Sequence, residues 1–137
     1  MNNKVLYTAL VLDAASHKAL LAWFERVSGA PLLEKRFAHH MTLQWKPTED
    51  QLAATEIGSD AAVVVTGWAA DAQTQAVVVL TGLEVASELP HVTVACAQGT
   101  SPVRSLELLL RGHHSVVDGV KVNGPTLTGR IEAVMSK

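Results

Sequence analysis

His40-Met41-Thr42-Leu43 and His91-Val92-Thr93-Val94 are two versions of one pattern: a histidine two residues before a threonine, with apolar residues between and after. Side chains at i and i+2 of an extended strand point to the same face. Each segment therefore offers an imidazole and a hydroxyl on one side and apolar packing on the other. Two such strands side by side would gather two imidazoles and two hydroxyls around one small space. Imidazole exchanges protons at about pH 6.5. The pair is thus suited to splitting a phosphate ester by general acid and base catalysis without a metal.

The loose pattern alone discriminates weakly, because three of the six histidines satisfy it; His113-His114-Ser115-Val116 matches as well. His40 and His91 stand apart because both use threonine, both lie in strand-like runs, and they fall in different halves of the chain. His113 follows a helix stop and is a minor candidate. A strand histidine taken singly is more often a structural residue, whereas the doubled arrangement favours chemistry. In a regular strand His39 faces away from His40 and is expected to be structural or exposed. His17, near a helix start, is expected to be solvated.

A metal centre is the rival use of histidines. No His-Glu-x-x-His motif or paired cysteines occur, and the two strand segments supply no third ligand. Strand parity places residues 91, 93 and 95 on one side and 92, 94 and 96 on the other. Cys96 is then a small core residue on the wrong face for a metal. No metal and no cofactor are expected.

The elements that must position these residues are legible in outline. Val5 to Leu12 is an apolar run of strand length. Asp13 or Ser16 can cap a helix carrying Leu20, Trp23, Phe24 and Val27 at helical spacing, with Gly29 as its stop and Pro31 beyond. The first histidine strand spans roughly 39–45, after a charged patch at Glu34, Lys35 and Arg36. A short helix is expected within 49–57. Strands at 61–68 and 76–80 flank the polar tract Asp71 to Gln75, which predicts a hairpin with a longer loop. The second histidine strand, 91–97, follows Pro90. Ser101-Pro102 reads as a helix opening, with Val103, Leu106, Leu109 and Leu110 as the apolar stripe and Gly112 as the end. Asp118-Gly119 and Asn123-Gly124 are favoured turn dipeptides, which predicts strands near 114–117, 120–122 and 126–134.

At 137 residues the chain is expected to be one domain, and 48% hydrophobic residues exclude a disordered one. A net charge of −2 argues against long duplex nucleic acid, which is held through many phosphate contacts. The single cysteine, Cys96, rules out an internal disulfide and fits a reducing compartment. No run has the length of a membrane span, and the first fifteen residues read as a strand rather than a signal sequence. A cytoplasmic protein without membrane attachment is expected. The two histidine segments hint at an internal duplication, each half a sheet backed by a helix.

The two motifs, in this order and strand context, resemble those of the 2H phosphoesterase superfamily, whose members carry one His-x-Thr/Ser-x motif per lobe. The segment Pro102-Val103-Arg104-Ser105-Leu106-Glu107-Leu108-Leu109 looks like the stretch after the second motif in a small phage and RNA-repair-associated branch. The resemblance implies a two-lobed, pseudo-symmetric α+β fold, with antiparallel sheets flanked by helices and the active cleft between the lobes. It implies metal-free opening of a 2′,3′-cyclic phosphate or a related phosphodiester. His40 and His91 would exchange the protons, while Thr42 and Thr93 hydrogen-bond the non-bridging phosphate oxygens. A base platform beside the phosphate would come from Tyr7, Trp45 or Trp68, whereas Trp23 and Phe24 are core residues. Arg36, Lys46 and Arg104 could lend charge, with Arg104 and Glu107 as supporting residues. The expected substrate is a small nucleotide or an RNA end. Two other readings are degradation of cyclic oligonucleotide immune signals and a non-catalytic nucleotide-binding module.

Overall fold

The computed structural model describes residues 5–118 and 121–135. The chain runs β1 (Val5–Leu12), α1 (Ala14–Ser28), β2 (Lys35–Arg36), β3 (His40–Trp45), α2 (Glu49–Ala54), β4 (Asp60–Ala70), β5 (Thr74–Leu80), β6 (His91–Cys96), α3 (Arg104–Arg111), β7 (His114–Ser115), β8 (Val117–Asp118), β9 (Lys121–Val122) and β10 (Thr126–Met135). The fold is mixed α+β and dominated by antiparallel pairing. The main sheet has the strand order β2-β6-β5-β4-β10-β1-β3, with β7 added alongside β4, and β8 and β9 form a separate ribbon.

Local chemistry sets the helices. Asp13 caps α1 by accepting the Ser16 N–H at 2.8 Å, and Gly29 ends it in the left-handed region that glycine adopts without a steric penalty. The buried face of α1 carries Leu20, Trp23 and Phe24, but Val27 at the end of the expected stripe is exposed. Thr48 and Gln51 form a reciprocal capping box on α2, which stops at Ala54, short of the expected 57.

The third helix departs from its expected frame. Ser101-Pro102-Val103 is a turn, with the Ser105 N–H bonded to the Pro102 carbonyl, so regular helix begins at Arg104. The buried stripe is consequently Ser105, Leu108 and Leu109, while Val103 and Leu110 are exposed. The β4–β5 hairpin is also tighter than expected. Both Thr74 and Gln75 belong to β5, because the Asp71 carboxylate accepts the Gln73 and Thr74 N–H groups and closes the turn within three residues. Gln75 is buried, accepting the Leu33 N–H and donating to the Pro31 carbonyl. Gly124, expected in a tight turn, is required for a different reason. A Cβ there would stand 2.0 Å from the Val65 carbonyl oxygen. Of the Asp118-Gly119 dipeptide, position 119 lies outside the described residues.

The strand at 35–36 is not expected from the sequence, and its presence explains how β3 comes to lie against β6. Lys35 and Arg36 pair with Cys96 and Ala95 of β6. Phe37 and Ala38 extend that pairing by donating to the Val94 and Thr93 carbonyls, each at 2.8 Å. One residue later the His39 carbonyl accepts the Leu12 N–H, and β3 continues along β1. Residues 35–45 thus bond to both ends of the sheet and draw β3 against β6.

The principal core joins Leu10, Leu12, Leu20, Phe24, Met41, Leu43, Val63, Val77, Val92 and Val94 under α1. Burying each such aliphatic or aromatic side chain contributes about 1.5–3 kcal/mol. A smaller cluster of Ala69, Ala76, Val78, Leu108 and Leu109 seats α3 on the other face. Met41 and Val92, the residues inside the two motifs, point into the principal core. His40, Thr42, His91 and Thr93 therefore stand on the face turned away from it.

Candidate active site

The two motif strands share a register feature. On β3, His40, Met41 and Thr42 pair with Val11, Leu10 and Ala9, after which the register slips so that Gln44 meets Thr8. On β6, His91, Val92 and Thr93 pair with Val78, Val77 and Ala76, after which Ala95 meets Gln75. In each strand one extra residue, Leu43 or Val94, follows the threonine. A bulge of this kind breaks the two-residue alternation.

The slips have consequences that simple alternation misses. On β3, Leu43 and Gln44 are both buried, and Trp45 emerges on the side of His40 and Thr42. The burial of Gln44 is costly. Its amide donates to Glu84 at 3.4 Å while its Oε1 and the neighbouring Thr8 hydroxyl have no partner among the described residues, at about 1–3 kcal/mol for each unsatisfied group. On β6, Ala95 joins Val92 and Val94 in the principal core. Cys96 is buried as expected but turns to the opposite side, near the Thr74 hydroxyl. The expected parity at 95 and 96 is therefore reversed, and burial pushes the Cys96 thiol pKa up.

His40, Thr42, His91 and Thr93 line one cleft of about 310 Å³, together with Tyr7, Phe37, His39, Trp45, Pro102 and Val103. His40 is half-buried, and its pKa lies below the ordinary histidine range. Burial is the main cause, with the neighbouring charges of His39 and His91 adding to it. His91 bonds through Nδ1 to the Leu89 carbonyl at 2.8 Å. That bond makes Nδ1 the protonated nitrogen and leaves Nε2 for a ligand. A ring held this way can carry a second proton at Nε2 without disturbing its anchor.

The threonines differ in support. Thr42 is exposed, whereas the Thr93 hydroxyl lies 2.7 Å from the fully buried Ser105 hydroxyl and 3.4 Å from the Pro102 carbonyl. Ser105 was missed as a site residue. Its signal was a serine on the stripe that α3 buries, a position otherwise taken by leucine.

Among the aromatic candidates, Tyr7 and Trp45 flank the cleft. Tyr7 stacks on His40 at 5.6 Å and on Trp45 at 5.8 Å between ring centroids, and Trp45 is 59% exposed, leaving it open to a ligand. Trp68 is not brought there. It packs edge-on against Phe24 and lies 4.4 Å from the His114 ring. Arg104 pairs with Asp71 at 2.7 Å and bonds to Thr74, and Glu107 pairs with Arg111 on the exposed side of α3; neither lines the cleft. Arg36 and Lys46 are exposed outside it, and His113 bonds to the Leu109 carbonyl beside a different hollow.

His17 departs from expectation, and His39, exposed as expected, does so in the side it faces. Ala38 has φ +58°, which breaks the extended backbone just before β3, and His39 consequently lines the cleft instead of facing away. His17 is half-buried, its Nδ1 bonded to the Ala38 carbonyl at 3.0 Å and its ring parallel to His39 at 5.2 Å. Among the described residues, no group of three or more His, Cys, Asp or Glu side chains is placed to hold a metal ion. No described helix is long and apolar enough to cross a membrane.

The chain matches no protein-family model and no curated protein sequence. The functional reading rests on the cleft.

Proposed function

We propose that this protein is a metal-independent phosphodiesterase that opens a 2′,3′-cyclic phosphate, on RNA ends or on nucleotides, by paired-histidine acid and base catalysis. The observation that carries the proposal is the meeting of His40 and His91, 51 positions apart in sequence, in one cleft with two threonine hydroxyls. The matched slip after each threonine supports a two-lobed, pseudo-symmetric origin, as the resemblance to 2H phosphoesterases implies. A reducing, cytoplasmic setting accords with the single buried cysteine.

In this reading His40, kept neutral by its surroundings, takes a proton from water. The water oxygen forms a bond to phosphorus, and the bond to one ribose oxygen breaks. His91 delivers a proton from Nε2 to that departing oxygen, so a monoester and a free hydroxyl result. Thr42 and Thr93 donate to the non-bridging oxygens, where negative charge builds up. Thr93 has one proton to give. With Ser105 donating into its lone pair, that proton turns from the Pro102 carbonyl to the phosphate.

A pH dependence follows. Activity needs neutral His40, and the fraction that is neutral falls as pH drops through its pKa. Because that pKa is lowered, the acid limb of kcat/KM is expected below about pH 6.5. A limb above that value would contradict His40 as the base. Trp45→Ala is expected to raise KM for a purine cyclic nucleotide about tenfold through lost stacking, as steady-state kinetics would show.

The deciding assay treats the protein with chelator and supplies cyclic mononucleotides, RNA with a 2′,3′-cyclic end, and cyclic di- and trinucleotides. Conversion of a 2′,3′-cyclic phosphate to a monoester at an undiminished rate is the expected outcome. Cleavage confined to cyclic oligonucleotides would favour a signal-degrading enzyme, and tight binding without turnover a nucleotide-binding module.

A further inference from the structure

The cleft holds a third histidine that the acid and base pair does not use. His39 stands beside His40, and three features fix it there. Its carbonyl accepts the Leu12 N–H at 2.8 Å. Its ring is covered on one face by His17, with an angle of 6° between the planes. Phe37 approaches edge-on at 6.4 Å. His17 is itself anchored to the Ala38 carbonyl, and Ala38 takes up a left-handed backbone that L-residues adopt at a cost of about 1–2 kcal/mol.

Among the described residues, the contacts of the His39 ring are with other rings and no hydrogen bond engages its nitrogens. Neutral imidazole keeps one N–H donor and the cation two. With His17 on one face, the ring is held in an orientation from which it can donate along its edge. The charge of the cleft narrows the choice further. Among the described residues that line it there is no lysine, arginine, aspartate or glutamate, so the groups these residues offer an anion are imidazoles, hydroxyls and backbone N–H groups. His40 and His91 are occupied at the scissile phosphate.

We propose that His39 forms a second anion subsite, buttressed by His17, that binds a phosphate next to the scissile one. The preferred substrate then carries at least two phosphates, as a 5′-phosphorylated cyclic nucleotide or the last linkage of an RNA end does. This inference rests on the phosphodiesterase reading for its orientation, but its test does not require turnover.

The test compares binding of adenosine 2′,5′-bisphosphate and adenosine 2′-monophosphate by titration calorimetry. Wild-type protein is expected to favour the bisphosphate about 10- to 100-fold, the range of a hydrogen bond to a charged group. His39→Ala should bring that ratio close to one, and His39→Lys, which restores a donor, should recover most of it. His17→Ala should lower the ratio in part by freeing the ring. Equal wild-type affinities, absence of binding by both, or a ratio that survives in His39→Ala would overturn the proposal. Should the ratio behave as expected while no cyclic phosphate is hydrolysed, the subsite stands and the hydrolase reading fails.

Discussion

Replacing either His40 or His91 with alanine is expected to lower kcat/KM for a 2′,3′-cyclic nucleotide by about 10²–10⁴-fold, the usual contribution of a positioned acid or base. Both rings lie on the face opposite the principal core. Their loss should therefore leave the thermal unfolding transition nearly in place, and calorimetry alongside kinetics separates catalysis from folding. Because the two rings act in one proton cycle, the double variant should be little slower than either single one. Single variants that retain wild-type rates would remove the assignment. A double variant slower by the product of both losses would mean that the rings act independently.

Thr93→Val is expected to cost about 10²–10³-fold in kcat, comparable to deleting a donor from an oxyanion site. Valine preserves the shape of threonine but cannot donate, so the loss should fall on kcat more than on KM. Ser105→Ala tests the supporting bond. It leaves the Thr93 proton directed at the Pro102 carbonyl with no donor on its other side, and a smaller loss in kcat is expected. Adding Ser105→Ala to Thr93→Val should have almost no further effect on rate, because the serine acts through the threonine. A large additional loss would show that Ser105 contributes in some other way.

The long elements were legible because their chemistry is local. The apolar run Val5–Leu12 became β1 residue for residue, and Asp13 and Gly29 bracketed α1. The histidine and threonine pairs were legible because alternation holds up to residues 42 and 93. What escaped reading depends on pairing between distant strands. Nothing in Leu43-Gln44-Trp45 or Val94-Ala95-Cys96 announces an extra residue, since a bulge reflects how the partner strand registers. Hence the side of Cys96 was misread. Lys35–Arg36 has too little apolar character to signal a strand, and it forms one because Phe37 and Ala38 beside it are already bonded to β6.

Positive φ at a buried alanine is likewise invisible in sequence, so His39 was assigned by parity to the wrong face. Ser101-Pro102 suggested a helix start two residues early because capping chemistry also serves a turn. Trp68 is where the sequence was most ambiguous. A tryptophan on a strand suits a ligand platform or a core equally, and contact with Phe24 places this one against the core.

The central claim is that the rings of His40 and His91 address the same phosphate. The most direct measurement is a titration of ¹⁵N-histidine-labelled protein with adenosine 2′-monophosphate, following the ring nitrogens of both residues by NMR. The expected result is that Nε2 of His40 and Nε2 of His91 shift together, along one saturation curve at one equivalent. A response from only one ring, or two curves with different midpoints, would contradict it.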